Sequence, residues 1–181
     1  SGLPYFVYVG SIHQRKNIER MLEAFDAFKL QSNLPHKFIL VGNKKWWTES
    51  MQQSLDKMKF KNDVIFTGRV SDADLNDLMG AAMTNVYVST FEGFGIPIIE
   101  AFQSEVPVIT SNTTSMPEVA GNAALIVDPL SMDSICSAMI ELASNDRLRT
   151  ELISKGKDQA AMFTWQRTAD LLWDSISKAL K

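Results

Sequence analysis

Residues 5–28 read YFVYVGSIHQRKNIERMLEAFDAF, and one change of period inside them sets the architecture. Tyr5–Val9 is short, aromatic and β-branched, which suits a strand, and Gly10 stops it. From Asn17 onward, Ile18, Met21, Leu22, Phe25 and Phe28 recur at helical spacing. A strand that is apolar throughout, followed at once by an amphipathic helix, predicts a parallel strand covered on both faces.

The alternation continues along the chain. Lys37–Val41 is a second apolar strand, stopped by Gly42, and a polar amphipathic helix is expected over Thr48–Lys59. Val64–Thr67 is a third strand, stopped by Gly68. Ser71 is placed to cap a helix whose buried side carries Leu75, Leu78, Met79 and Ala82. Val86–Val88 and Val108–Thr110 are strands separated by a helix from about Ile98 to Ser104, and Ala124–Val127 adds a sixth. After Asp128-Pro129 the pattern is helical to the end, with Gly156 and Thr164 as punctuation. The prediction is one α/β domain over residues 1–181, a single Rossmann-like doubly wound parallel sheet of about six strands with helices on both faces. In such sheets ligands bind beyond the carboxyl ends of the strands, at the topological switch point.

Composition narrows the function. The 181 residues carry 18 Lys and Arg against 21 Asp and Glu, a net charge of −3, which argues against a nucleic-acid binder. The distribution is uneven: residues 1–69 carry +5 and residues 70–181 carry −8, leaving room for a local anion site in the first third. One cysteine, Cys136, excludes an internal disulfide and a cysteine zinc cluster. His13 and His36 are not at metal-ligand spacing. No apolar run reaches the roughly 18–20 residues that cross a bilayer, and no signal peptide is recognisable. The expected setting is the reducing cytoplasm.

Three segments carry chemistry beyond packing. The first follows β-strand Tyr5–Val9: Gly10-Ser11-Ile12-His13-Gln14-Arg15-Lys16-Asn17. Two adjacent cations at a helix start oppose the macrodipole, which favours anions there. Backbone N–H groups beside Arg15 and Lys16 would attract phosphate, although a solvated basic turn reads equally well from the sequence. The second segment is Ser89–Ala101, STFEGFGIPIIEA. A strand enters a loop with Gly93 and Gly95, Pro97 suits a first helical turn, and Glu92 and Glu100 bracket the loop. Glu100, among Ile98, Ile99, Ala101 and Phe102, sits on an apolar face. The third is Asp72-Ala73-Asp74. Its Asp-x-Asp pattern could hold a metal, but Ser71 and Asp74 have capping-box spacing, which is the favoured reading. Trp46 and Trp47, with Lys44 and Lys45, suit contact with a base, a sugar or a partner, or a lid on the next helix. Phe163, Trp165, Leu171, Leu172 and Trp173 form a stripe that could pack against another domain.

Together these residues resemble the C-terminal, donor-binding half of a family 4 (group 1) glycosyltransferase of two-Rossmann GT-B architecture. The resemblance covers residues 4–181. Its anchor is the Glu-x7-Glu signature, EGFGIPIIE from Glu92 to Glu100, with Val9-Gly10, Arg15-Lys16-Asn17, Val41-Gly42, Gly68-Arg69-Val70, Ser89, Pro107-Val108, Pro117-Glu118-Val119 and Asp128-Pro129 in the expected order. It implies retaining glycosyl transfer from a nucleoside diphosphate sugar, with no metal and no cofactor. Lys16, with Arg15, would bind the diphosphate and stabilise its developing charge, and Glu92 would face the donor sugar, making these three the catalytic set. Gly10, Ser11 and the backbone of Gly93, Phe94, Gly95 and Ile96 would surround the sugar and phosphates. Glu100 would accept hydrogen bonds from the ribose, and Gly68 to Val70 would line the base. Many members carry arginine where this chain has Ser11, so Arg15 is the expected substitute.

The Arg-Lys-Asn variant resembles the branch of bacterial mannosyltransferases of surface polysaccharide and lipopolysaccharide synthesis, which implies GDP-mannose as donor and a glycan or lipid-linked acceptor. The family places its acceptor site, and a histidine near the reacting carbon, on an N-terminal domain that these residues do not include. Such an isolated half is expected to bind donor and transfer little or no sugar. The full-length enzyme would work in the cytoplasm, with peripheral association at the inner face of the membrane. A second reading is a non-catalytic nucleotide-binding or scaffold module of the same fold, and a third is a sugar-nucleotide epimerase.

Overall fold

Six parallel strands form one sheet, in the spatial order β3 (Val64–Gly68), β2 (Lys37–Val41), β1 (Tyr5–Val9), β4 (Thr84–Tyr87), β5 (Val108–Ser111) and β6 (Ala124–Val127). The computed structural model describes residues 2–180. In chain order the elements are β1 (Tyr5–Val9), a 3-10 turn (Gln14–Lys16), α1 (Ile18–Ser32), β2 (Lys37–Val41), α2 (Glu49–Lys57), a second 3-10 turn (Lys61–Asp63), β3 (Val64–Gly68) and α3 (Asp72–Gly80). The chain then crosses the sheet into β4 (Thr84–Tyr87), α4 (Ile96–Gln103), β5 (Val108–Ser111), α5 (Met116–Ala120), β6 (Ala124–Val127), α6 (Met132–Ser144), α7 (Asp146–Ala161) and α8 (Trp165–Ala179). The doubly wound prediction is met, and β1 and β4 flank the switch point.

The sheet separates two helix layers, because right-handed crossovers on either side of the switch point lead to opposite faces. One layer has α1 packed on α2 and α6, and the other has α4 packed on α5 and α7. Phe6 and Phe38 from the central strands pack on Phe25 and Phe28 of α1, in a core that also buries Val7, Tyr8, Leu40, Met21 and Leu22. The central strands are buried most completely, whereas Ile65 on β3 and Ile126 on β6 are exposed, since edge strands have a neighbour on one side only. Gly42 has a steric reason beyond stopping a strand. A Cβ there would lie 1.9 Å from the Gly10 carbonyl oxygen, so only glycine lets the ends of β1 and β2 converge.

Two local expectations change. The region after residue 129 is three helices, with the first break at Asn145 and the second at Thr164; both cap the following helix through their side chains. Gly156 does not punctuate. It lies inside α7, where its missing side chain lets the helix approach Phe102 of α4. The five-residue α5 has too few turns to show a period, so sequence patterning did not reveal it. The last helix, α8, buries none of its residues, and Trp165, Leu172 and Trp173 stand exposed. No described helix is long and apolar enough to cross a membrane.

Candidate functional site

The turn after β1 is built to deliver two cations to the end of β4. His13 Nδ1 accepts the Arg15 backbone N–H at 3.1 Å and caps the 3-10 turn Gln14–Lys16. Asn17 then adopts a left-handed backbone, φ 60° and ψ 33°, which asparagine tolerates better than most residues. Its side-chain amide donates to the Val88 carbonyl at 3.0 Å and the Pro129 carbonyl at 2.8 Å. One residue thus ends the turn, starts α1, and ties β1 to the ends of β4 and β6.

Lys16 is consequently not a solvated cation at a helix start, as one reading of the basic turn had it. Its side chain is 9% exposed, and its ammonium donates to Glu92 Oε1 at 2.6 Å and to Tyr87 Oη at 2.7 Å. Arg15 reaches the other carboxylate oxygen, Oε2, at 2.9 Å, and also donates to the Phe91 carbonyl. Burial would raise the Glu92 carboxyl, but the hydrogen bonds from Lys16 and Arg15 outweigh it and hold it below the ordinary range. The cluster therefore holds two cations against one carboxylate. Its excess positive charge sits at the mouth of β1 and β4, where an anion would gain most from it.

The loop that carries Glu92 is fastened from the segment between β5 and α5. Glu92 N donates to Thr114 Oγ1 at 3.1 Å, and Ser115 Oγ lies 2.9 and 2.8 Å from the carbonyls of Glu92 and Phe94, which share its single O–H. Gly95, at φ 107°, caps α4, and Phe94 and Ile96 stand exposed at the loop surface. Thr114 and Ser115 were absent from the sequence-based site, as was Tyr87, which read only as a strand residue. The available signal for Tyr87 was a second tyrosine at the end of a strand, matching Tyr8 on β1.

Glu100 is not joined to this cluster, and the apolar-face expectation is corrected. Its neighbours Ile98, Ile99, Ala101 and Phe102 face the core, while Glu100 itself is exposed. It borders a separate cavity of about 210 Å³ with Val9, Leu75, Met79 and Gln103, between α3 and α4. Although the side chain reaches solvent, desolvation by the protein atoms around this cavity pushes its carboxyl up. Gly68 and Val70 lie beyond β2, where the Gly68 carbonyl accepts from Gly42 N at 3.0 Å. Gly10 and Ser11 follow β1, and the Ser11 carbonyl accepts from Tyr8 Oη at 2.9 Å. The Asp72-Ala73-Asp74 motif is a helix start: Ser71 Oγ accepts the Asp74 N–H at 3.2 Å. The tryptophans part company, Trp47 packing on Phe66 and Trp46 turning outward against His13.

This fold, with its Arg-Lys-Asn turn opposite a Glu-x7-Glu loop, is that of a GT-B glycosyltransferase domain. The chain belongs to the glycosyl transferases group 1, whose pattern it matches over residues 1–159. It is 36% identical over 162 residues to the O-antigen chain mannosyltransferase B of Escherichia coli, covering 90% of this chain and 42% of that protein. The chain thus spans about two fifths of that relative's length. Among solved structures, the C-terminal domain of a glycosyl transferase group 1 family protein from Francisella tularensis superposes with a TM-score of 0.75 at 22% identity, covering 88% of this chain and 87% of that one. An Anabaena protein solved in complex with UDP and glucose superposes at 0.82 with 17% identity, over 96% of this chain and 48% of its own. Both share the fold.

Proposed function

We propose that this chain is the donor-binding domain of a retaining mannosyltransferase that takes its sugar from GDP-mannose and passes it to a glycan or lipid-linked acceptor in surface polysaccharide synthesis. The observation that carries the reading is the Arg15–Lys16–Glu92 cluster at the switch point, with its surplus positive charge. Lys16 and Arg15 bind the donor diphosphate. As the bond from the anomeric carbon to the phosphate oxygen breaks, its electron pair stays on that oxygen, and the two cations stabilise the charge that grows there. Arg15, at 2.9 Å from Glu92, supplies the second cation that Ser11 cannot. Glu92 faces the donor sugar, and the backbone of Gly93, Phe94, Gly95 and Ile96, with Gly10 and Ser11, surrounds the sugar and phosphates. Glu100 accepts hydrogen bonds from the ribose in the cleft between α3 and α4, and Gly68 to Val70 border the base.

The mannosyltransferase named above supports the choice of sugar, and the UDP in the Anabaena structure supports a nucleoside diphosphate. The acceptor oxygen forms its bond on the face the diphosphate leaves and passes its proton to the departing phosphate oxygen. The acceptor site belongs to an N-terminal domain of the full-length enzyme, so residues 1–181 alone bind donor and transfer little sugar. Peripheral attachment to the inner membrane face belongs to the same full-length protein.

Calorimetric titration of the folded chain with GDP, UDP and ADP tests the reading. GDP is expected to bind most tightly, and failure of all three overturns it. Glu100→Ala should weaken GDP binding about tenfold, the equivalent of 1.4 kcal/mol. Binding of GDP at wild-type strength would remove Glu100 from the site.

A further inference from the structure

The Lys16 ammonium has three N–H donors. One is used by Glu92 Oε1 and one by Tyr87 Oη, which leaves the third. The two acceptors differ in how firmly they are held. Glu92 sits in a loop. Tyr87 sits on β4, 1% exposed, with its ring stacked on Tyr8 at 6.3 Å and its carbonyl accepting from Thr110 Oγ1 at 2.9 Å. The ammonium also lies 4.9 Å from the Tyr87 ring centroid. A lysine held at one point can swing its head about the last carbon of its stem. Held at two points, it presents its remaining N–H in one direction.

We propose that Tyr87 is a positioning residue of this site, its phenolic oxygen aiming the third N–H of Lys16 at an incoming diphosphate. The proposal rests on the donor-site reading for the identity of the anion, but the Lys16–Tyr87 contact stands on geometry alone. Burial and then the Glu92 carboxylate push the Tyr87 hydroxyl up, so it stays protonated at neutral pH and keeps a lone pair for the ammonium. Tyr87 touches neither sugar nor phosphate in this scheme. It acts through Lys16.

The test is Tyr87→Phe, which keeps the ring and removes only the oxygen, with Tyr8→Phe as a control that deletes a hydroxyl not bonded to Lys16. Lysine-15N-labelled chain is observed by NMR in the absence of nucleotide. A buried, doubly held ammonium exchanges its protons slowly, so wild type and Tyr8→Phe should show a Lys16 signal that Tyr87→Phe loses. GDP and inorganic pyrophosphate should both bind Tyr87→Phe about tenfold more weakly, with the thermal midpoint within a few degrees of wild type. A purely packing role would leave both readouts at wild-type level in Tyr87→Phe. Absence of the slow Lys16 signal in wild type, or its survival in Tyr87→Phe, overturns the proposal without recourse to nucleotide. If wild type shows the signal and binds no diphosphate, the donor reading fails and so does the aim assigned to Tyr87, while the contact stands. Equal GDP affinity in wild type and Tyr87→Phe overturns the role of Tyr87 and leaves the donor reading intact.

Discussion

The ammonium of Lys16 and the carboxylate of Glu92, 76 residues apart in the chain, meet at 2.6 Å with each side chain 9% exposed. A pair so buried is held together by its mutual attraction and by the extra bonds around it, because each charge alone would be costly to desolvate. It also means that Glu92 occupies part of the field in which an anion would bind.

Glu92→Gln should therefore separate stability from anion affinity. Loss of the charge leaves Lys16 buried without its counter-ion and should destabilise the fold by about 3 kcal/mol, measured by urea unfolding. The same change removes a repulsive carboxylate, so inorganic pyrophosphate should bind several-fold more tightly by calorimetry. Weaker pyrophosphate binding in this variant would contradict the cluster's role as an anion seat.

Asn17 makes a second prediction. Asn17→Ala abolishes both amide bonds, strands the carbonyls of Val88 and Pro129, and puts a Cβ-bearing residue without local polar compensation at φ 60°. The expected loss is about 3 kcal/mol for two buried acceptors left unmade. Asn17→Gly should be milder by about 1 kcal/mol, because glycine adopts the left-handed backbone freely. Equal losses in urea unfolding would mean that the backbone geometry contributes nothing.

Gly156 sets helix propensity against packing. Alanine in mid-helix gains about 1 kcal/mol over glycine, but its Cβ would lie 2.8 Å from Phe102 Cδ1. Overpacking of that kind costs about 1–3 kcal/mol, so Gly156→Ala should destabilise by about 1 kcal/mol net. In a Phe102→Ala background the wall is gone and the same substitution should stabilise. Thermal unfolding of the four chains reads both signs.

His36 gives the fold an acid limb. It is 4% exposed between Phe6 and Phe28, and burial, with Lys29 and Arg149 nearby, lowers its pKa to about 4. Between about 6.5, the value in an unfolded chain, and about 4, the unfolded state binds the proton and the folded state does not. Stability should therefore fall as pH drops through that window. Asp63, whose carboxyl is raised by burial but lowered further by Lys29 and Lys37, adds its own loss only below the ordinary carboxylate range. His36→Phe should flatten the thermal midpoint between pH 7 and 5. An unchanged slope would exclude His36 as its source.

Much of the site was legible in the chain because its signals are local. Arg15-Lys16-Asn17 lies within one turn, Glu92–Glu100 within a loop and the first turns of the helix it opens, and Ser71 with Asp74 carries its capping spacing in four residues. Tyr87, Thr114 and Ser115 were missed because each looks ordinary among its own neighbours. Tyr87 matters through a residue 71 positions away, and Thr114 and Ser115 through a loop more than 20 positions earlier. Gly156 misled for the same reason: in sequence a glycine in a helix reads as a break, and only the wall of Phe102 shows why it is there.

The alternation of apolar strands with 3.6-residue periods dictated the layer order, the six strands and the ends at which a ligand site must lie, since period and turn chemistry act over a few residues. The direction in which Lys16 points was decided elsewhere. Read in the chain, it is a cation at the start of a helix; in the fold it is turned inward, shared between Glu92 and Tyr87. That choice depends on β4 lying beside β1, and only the folded sheet brings those strands together.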